Sequence, residues 1–243
     1  MTLFLASVRD AAEAEMALGA AADIIDLKDP SQGALGALAP GAIEACMRAV
    51  NGRAKVSATV GDLPLRSETL RDAVRKTASL GVDYVKLGLF ANDGAERCLT
   101  ALKPEAARFR LILVLFADAL PPFDAMGLAA GIGACGVMFD TLGKGAGALP
   151  DHLTPAVLAA QLASARALGL TVGLAGSLKA RHVPGLLALE PDLLGFRGAL
   201  CRGGHRVAPL DPGRLAAIRA LIPKRRRVLR DANLTEALPQ ASC

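Results

Sequence analysis

The 243-residue sequence has no tryptophan, one tyrosine and few aromatic residues overall, only 3% of the chain. Hydrophobic residues nevertheless make up 52% of it, enough to bury a core, which excludes an intrinsically disordered protein. The 25 glycines and 14 prolines follow no period, which excludes collagen-like and low-complexity proteins. The length suits one α/β barrel, because barrels of this class reach this size as a single domain.

Long apolar runs and targeting patterns are also missing. No run of about eighteen uncharged apolar residues occurs, so we expect no transmembrane helix and no membrane partner. Residues 1–8 are apolar but lack a basic lead and a small-residue cleavage site, which favours a first strand over a signal peptide. The five cysteines are widely spaced without a Cys-x-x-Cys pair, which favours reduced thiols in a cytoplasmic protein.

Several catalytic signatures are absent as well. The sequence contains no Gly-x-Ser-x-Gly, Walker A or kinase motif. The three histidines, His152, His182 and His205, lie in separate predicted loops without a helical pair or a nearby cysteine. We therefore expect no metal site, and no cofactor is predicted.

The net charge of +5 comes from one short segment. Lys224 to Arg230 contain five basic residues and no acidic one, so the rest of the chain sums to zero. No aromatic residues interleave with these charges, so we expect no nucleic-acid partner. We predict one domain over residues 1–222 and a mobile basic tail over residues 223–243.

Short runs rich in Val, Ile and Leu alternate with longer stretches at helical spacing, which is typical of repeated βα units. The predicted strands are Leu3–Val8, Asp23–Lys28, Lys55–Val60, Asp83–Leu87, Arg110–Phe116, Gly136–Asp140, Thr171–Leu174 and Leu193–Phe196. The predicted helices are Ala11–Ala20, Gly41–Val50, Ser67–Leu80, Asp93–Glu105, Asp124–Gly131, Thr154–Leu168, Leu178–Leu187 and Pro212–Leu221. Eight such units predict a single (β/α)8 TIM barrel. A doubly wound open sheet is the alternative, but no Gly-x-Gly-x-x-Gly follows the first strand.

Local signals mark several helix ends. Ser67 and Thr154 are predicted N-caps. Gly81 and Gly169 each stand between a predicted helix and the next strand, where glycine supplies a left-handed residue. These positions support the predicted βα alternation.

Four charged residues interrupt the apolar strands. Because alternate strand residues share a face, Asp26 and Lys28 point inward in the second strand. Lys86 in the fourth strand and Asp140 in the sixth point inward by the same argument. Alternate strands fill the same layers of a barrel, so we expect the four to converge near the C-terminal mouth, where barrel enzymes act.

Two interpretations of this cluster are open. A structural ion-pair network could close the top of the barrel. Alternatively, repulsion between Lys28 and Lys86 would free one amine as a nucleophile, with Asp26 orienting it or carrying protons. We favour the second interpretation, which predicts an enzyme that forms a Schiff base with a carbonyl substrate. Lys144, in the glycine-rich loop after Asp140, either clamps phosphate, assists proton transfer or faces solvent.

Glycine-rich turns follow the last two predicted strands, at Gly173–Ser177 and Phe196–Gly204. Many barrels build a phosphate site from these two loops, using backbone N–H groups that glycine leaves accessible. Such turns are also plain bends, but their joint occurrence favours a phosphorylated small-molecule substrate. The predicted phosphate and substrate contacts are Gly176, Ser177, Arg197, Gly198, Gly203 and Gly204.

Five sequence blocks carry a family resemblance. They are Ala22–Gly36, Asp83–Leu89, Met138–Leu142 with Lys144, Gly173–Leu178 and Phe196–Cys201. Together they resemble the (5-formylfuran-3-yl)methyl phosphate synthase family, also called 4-(hydroxymethyl)-2-furancarboxaldehyde-phosphate synthase, of methanofuran biosynthesis. The Asp-x-Lys-x-Pro run at Asp26–Pro30 is quite specific.

The resemblance implies a TIM-barrel lyase that condenses two glyceraldehyde 3-phosphate molecules into a phosphorylated furan aldehyde, with loss of one phosphate and two waters. By the same resemblance, Lys28 is the Schiff-base lysine and Lys86 the proton acceptor. Asp26, Asp140 and Lys144 match supporting acid–base and binding positions. The product would serve one-carbon metabolism.

Other functions stay open on the residues. Another class I Schiff-base aldolase or a triose-phosphate isomerase-like barrel would use the same lysines, but neither makes a furan. A non-catalytic polyanion-binding barrel would use Lys224 to Arg230 instead. The sequence also leaves a homo-oligomer open, because no pattern isolates an unpartnered helix face.

Overall fold

The structure of the chain is a computed structural model, which describes residues 1–64, 66–90, 94–143 and 145–223. The strands are β1 Leu3–Val8, β2 Ile24–Leu27, β3 Lys55–Thr59, β4 Tyr84–Leu89, β5 Leu111–Phe116, β6 Gly136–Asp140, β7 Thr171–Leu174 and β8 Leu193–Phe196. The helices are α1 Ala11–Gly19, α2 Pro40–Val50, α3 Ser67–Ala78, α4 Ala95–Thr100, α5 Lys103–Ala106, α6 Ala125–Ile132, α7 Leu149–His152, α8 Pro155–Ala167, α9 Val183–Leu187 and α10 Pro212–Leu221. Short 3₁₀ turns cover Ala180–His182, Gly198–Leu200 and Arg202–Gly204. The predictions for Lys144 and for the tail from Lys224 onward lie outside the described residues.

All eight strands pair in parallel with their neighbours in chain order, and β1 pairs with β8 to close the sheet. Both faces of such a sheet are covered, which is why the strands are near-continuous apolar runs. The predicted single (β/α)8 barrel is confirmed. Within the described ranges, none of the helices has the length and apolar character needed to cross a bilayer.

Prolines break two of the predicted helices. The helix predicted at Asp93–Glu105 is the separate pair α4 and α5, and Pro104 occupies the first turn of α5. The helix predicted at Leu178–Leu187 is a 3₁₀ turn followed by α9, with Pro184 in the first turn of α9. Proline lacks an N–H and its ring collides with the preceding turn, so a helix restarts at proline and does not run through it. The four-residue α7 was not predicted, because it is too short to show a helical period.

Of the two predicted helix N-caps, one is correct and one is wrong. The Thr154 hydroxyl accepts a hydrogen bond from the Val157 N–H at 3.3 Å, so this N-cap is confirmed. Ser67 is already the first residue of α3, and Arg66 occupies the N-cap position without a side-chain bond, so the predicted Ser67 cap is wrong. Gly81 and Gly169 have left-handed φ values of +86° and +73°, as predicted for both joints.

The strand faces separate two apolar clusters. Outward residues such as Ile25 and Leu27 pack in the large core between the sheet and the helices. Inward residues such as Ile24, Val114 and Met138 form a smaller cluster inside the barrel. The inward positions follow the predicted alternation. The inner cluster is apolar, and polar residues enter the barrel interior beside it: serines of β1 and β3, and charged residues on or just after β2, β4 and β6.

Candidate active site

The barrel opens at the C-terminal ends of its strands into a cavity of about 840 Å³. This volume lies within the roughly 300–1,000 Å³ typical of small-molecule sites. Asp26, Lys28, Lys86 and Asp140 all line the cavity, so their predicted convergence is confirmed. The predicted phosphate contacts also line it: Gly176, Ser177, Arg197, Gly198, Gly203 and Gly204.

The Asp26 carboxylate is the centre of a buried polar network. Its Oδ1 accepts hydrogen bonds from Lys86 Nζ at 3.0 Å and from Ser57 Oγ at 2.6 Å. Its Oδ2 accepts one from Ser7 Oγ at 2.8 Å. Asp26 is 0% exposed, and Lys28, the residue that directly follows β2, is 6% exposed. The carboxylate is therefore held in one orientation by three strands.

Burial alone would favour the neutral carboxyl group of Asp26. The ammonium groups of Lys86 and Lys28 and the hydroxyls of Ser57 and Ser7 outweigh that cost, so the pKa of Asp26 is lowered below its ordinary value. The group is thus an anion at neutral pH. A buried anion beside two lysines can orient one amine and carry a proton to or from the other.

Asp140 is the last residue of β6, and the loop that follows it is held by hydrogen bonds to Asp140 and Asp118. Its Oδ1 accepts a hydrogen bond from the backbone N–H of Thr141 at 2.7 Å. Asp118 accepts bonds from the N–H groups of Leu142 and Gly143, both at 2.7 Å. Burial opposes the charge of Asp118, but these backbone bonds lower its pKa overall. The loop that leaves Asp140 is therefore anchored at its start.

The loop after β2 is fixed by contacts with neighbouring strands and loops. Asp62 accepts hydrogen bonds from the N–H groups of Ala34 and Leu35, both at 2.9 Å. The Leu35 side chain is fully buried in the inner cluster. A β-carbon on Gly88 would lie 2.8 Å from Leu35 Cδ1, so this close approach requires glycine at position 88.

The Arg197 side chain has a structural partner for each of its donors. Its guanidinium pairs with the buried Glu13 carboxylate through both terminal nitrogens. It also donates to the carbonyls of Ser7 at 3.2 Å, Arg206 at 2.8 Å and Ala208 at 3.1 Å. All five guanidinium N–H groups are thus used within the protein. Only the backbone of Arg197 is left for the predicted phosphate contact.

The turn after β7 lies at the cavity wall. Gly176 and Ser177 are consecutive left-handed residues, with φ of +95° and +50°. A β-carbon on Gly176 would lie 2.9 Å from Thr141 Cγ2, so no larger residue fits. No described residue accepts a hydrogen bond from the N–H groups of Gly176, Ser177 or Gly198. These donors are available to a ligand in the cavity.

Three polar residues of the site escaped sequence reasoning. Ser7 and Ser57 bind Asp26, and Arg206 lines the cavity from the loop after β8. The serines occupy inward positions of β1 and β3, so the same alternation that found Asp26 could have found them. No periodic signal distinguishes Arg206. In the part of the chain that the structure describes, no cluster of residues suited to a metal ion occurs.

Comparison with known proteins identifies the family. A family model described as 4-HFC-P synthase matches residues 4–219. The chain belongs to the 4-HFC-P synthase family. A sequence from Methylorubrum extorquens is 42% identical over 212 residues, 87% of this chain and 88% of the relative. The (5-formylfuran-3-yl)methyl phosphate synthase of Methanocaldococcus jannaschii is 34% identical over 216 residues, 84% of this chain and 92% of that enzyme.

This family membership confirms the resemblance found in the five sequence blocks. The protein is therefore an enzyme, as its synthase relatives are. Among solved structures, 3-hexulose-6-phosphate synthase superposes with a TM-score of 0.62 at 19% identity, over 92% of this chain and 100% of that one. At that identity the likeness concerns the barrel fold alone.

Proposed function

We propose that this enzyme is a (5-formylfuran-3-yl)methyl phosphate synthase that condenses two glyceraldehyde 3-phosphate molecules through a Schiff base on Lys28. The observation that carries the proposal is the buried Asp26 carboxylate beside Lys86 and Lys28, in a cavity that the glycine turns after β7 and β8 also line. A purely structural ion-pair network would close the barrel top, whereas these groups line an open cavity of about 840 Å³.

The first step interconverts the two triose phosphates. Lys86 as the free amine takes a proton from the carbon next to the aldehyde and returns it to the adjacent carbon, which makes a ketone. Asp26 Oδ1, 3.0 Å from Lys86 Nζ, stabilises the ammonium that forms in between. The hydroxyls of Ser7 and Ser57 hold the carboxylate still during the transfer.

The second step is covalent. The Lys28 amine adds to the ketone carbon and water leaves, which forms an iminium. The positive nitrogen acidifies the neighbouring carbon, and loss of that proton gives an enamine. The enamine carbon then attacks the aldehyde of the second triose phosphate, which forms the new carbon–carbon bond. Asp140, which lines the cavity, takes or returns protons in this step.

Elimination completes the furan. One phosphate and two waters leave in total, the lysine is released, and a ring oxygen from a substrate hydroxyl closes the aromatic ring. One phosphate stays on the product. The N–H groups of Gly176, Ser177 and Gly198 support phosphate binding, because they line the cavity without a described protein acceptor. The product suits the biosynthesis of methanofuran or an analogue of it.

The test is incubation with glyceraldehyde 3-phosphate, with ultraviolet absorbance and free phosphate followed together. We expect a conjugated furan aldehyde and one phosphate for every two trioses consumed. Lys28→Ala should abolish both signals. Lys55→Ala is the matched control, because Lys55 is a half-exposed lysine of β3 at the opposite end of the barrel. Its rate should stay within about twofold of the unaltered enzyme, as for a surface change.

The rival enzymatic functions give different results in the same assay. An aldolase would consume triose phosphate and form a sugar phosphate without ultraviolet absorbance. An isomerase would interconvert the two trioses without releasing phosphate. Either result would contradict the proposed furan synthesis.

A further inference from the structure

Two arginines of the loop after β8 line the same cavity but differ in how their donors are used. Arg197 uses all five guanidinium N–H groups within the protein. Arg206 uses one, from Nη2 to the carbonyl of Gly33 at 2.9 Å. No other hydrogen bond and no ion pair joins its side chain to a residue that the structure describes. Four of its donors are left, on a half-buried group at the cavity wall.

Among the residues that the structure describes, no carboxylate contacts the Arg206 guanidinium. Burial lowers the pKa of Arg206, and the Asp140 and Asp62 carboxylates offset part of that effect. Asp62 is already bound to the N–H groups of Ala34 and Leu35. A partly desolvated cation without a contacting anion is unfavourable, and an anionic ligand in the cavity would relieve the cost.

The Arg206 guanidinium points away from the glycine turn after β7. The backbone carbonyl of Arg206 accepts a hydrogen bond from Arg197 Nε at 2.8 Å, which fixes the Arg206 backbone beside the turn after β8. From there the side chain reaches Gly33, in the loop after β2, which is the strand that leads to Lys28. Ser177 and its neighbours follow β7 instead, and in the closed barrel both β8 and β1 lie between β7 and β2.

We propose that Arg206 binds the phosphate of one of the two triose phosphates, in a second phosphate subsite distinct from the turn at Gly176 and Ser177 after β7. This inference rests on the proposed function, which requires two phosphorylated molecules in one cavity. Guanidinium groups suit the role, because their planar fork donates two parallel hydrogen bonds to one phosphate. The subsite lies on the β2 side, so its triose would sit near the Lys28 amine.

The test is titration calorimetry of the full chain with glycerol 3-phosphate, a phosphate monoester without a reactive carbonyl. We expect two molecules bound per chain. Arg206→Gln should weaken one of the two sites about 10- to 100-fold, the range for hydrogen bonds to a charged group, and leave the other unchanged. The affinity of Arg206→Lys at this site should lie between those of the unaltered enzyme and Arg206→Gln, because lysine keeps the positive charge but cannot donate two parallel hydrogen bonds. It also provides the measurement if Arg206→Gln does not fold.

Two arginines nearby serve as matched controls. Arg202 lies in the same loop, is exposed and does not line the cavity. Arg181 is exposed at the cavity wall on the β7 side, in the 3₁₀ turn Ala180–His182. Arg202→Gln and Arg181→Gln should both retain two sites. Unchanged binding in Arg206→Gln, or loss of a site in either control instead, would overturn the inference.

The furan assay separates failure of this inference from failure of the proposed function. Furan formation by the unaltered enzyme, together with two intact sites in Arg206→Gln, would refute only the Arg206 subsite. Loss of one site in Arg206→Gln without any furan from the unaltered enzyme would refute the synthase and keep the anion site. A single phosphate site in the unaltered enzyme would contradict the two-phosphate cavity and with it the inference.

Discussion

The two ends of the barrel each hold a lysine–aspartate pair, and the two pairs are built differently. At the C-terminal end, Lys86 Nζ lies 3.0 Å from Asp26 Oδ1, with the side chains 3% and 0% exposed. At the N-terminal end, Lys55 Nζ lies 2.7 Å from Asp83 Oδ1, with the side chains 50% and 24% exposed. Asp83 also accepts a hydrogen bond from the Val56 N–H, so it links neighbouring strands.

The difference shows which pair belongs to a site. An exposed ion pair contributes about 0–1 kcal/mol to stability and carries little desolvation penalty. Burying an ion pair carries a desolvation penalty, and removing one partner from a buried pair destabilises the protein by about 3–5 kcal/mol. A buried ion pair therefore calls for a functional reason. Lys86 and Asp26 share their burial with Lys28 and face a cavity, whereas Lys55 and Asp83 face solvent.

The largest expected effect is on turnover. Asp26→Asn keeps the shape of the side chain but removes the anion beside both lysines, so kcat for furan formation should fall about 10²- to 10⁴-fold, as for loss of a general acid–base group. Asp83→Asn is the matched control at the other end of the barrel, and its kcat should stay within about twofold. Equal losses of kcat in both variants would show that the buried pair has no special role.

A second prediction concerns stability at the N-terminal end. Arg219 is 6% exposed there, donates to Asp23 Oδ2 at 2.8 Å and to the Ala21 carbonyl at 3.0 Å, and lies over the Phe4 ring. Arg219→Met should lower the free energy of unfolding by about 3 kcal/mol, because Asp23 loses its ion pair, although it keeps the Phe4 N–H bond, and the buried Ile222 carbonyl loses its donor.

Urea unfolding of Arg219→Met measures this loss, and Arg48→Met, at an exposed position of α2, should change the free energy of unfolding by less than about 0.5 kcal/mol. The kcat of folded Arg219→Met should match that of the unaltered enzyme. A lower kcat with unchanged stability would mean that the N-terminal end takes part in the chemistry.

The smallest effect is expected from pH. The pKa of Asp26 in the folded enzyme is below its ordinary value of 3.8, so its contribution to stability is complete above that value and is lost as the pH falls through the lower, folded-state pKa. Asp26→Asn lacks the pH-dependent contribution of this carboxylate to stability. The free energies of unfolding of the variant and the unaltered enzyme should therefore converge as the pH falls below about 4. Parallel curves down to pH 2 would contradict the charged, stabilised Asp26.

Much of this architecture follows from the sequence because parallel strands buried on both faces are apolar runs with little ambiguity. The charged residues of the site stand out for the same reason: Asp26, Lys28 and Lys86 break such runs at inward positions. The interrupted helices at Pro104 and Pro184 were missed, because their apolar spacing continues across the proline while the hydrogen bonds do not.

The roles of the arginines could not be predicted from the sequence. Arg197, Arg202 and Arg206 lie within ten residues in one glycine-rich loop and look alike there. Only the folded chain brings Glu13 of α1 to Arg197 and the Gly33 carbonyl to Arg206. Contacts between distant parts of the chain decide which guanidinium is structural and which is available to a ligand.

The most direct test of the account is borohydride reduction of the enzyme with glyceraldehyde 3-phosphate, followed by peptide mass spectrometry. We expect a reduced triose phosphate adduct on Lys28, absent in Lys28→Ala and present in Lys55→Ala. An adduct on Lys86, or undiminished trapping in Lys28→Ala, would contradict the assignment of the Schiff base to Lys28.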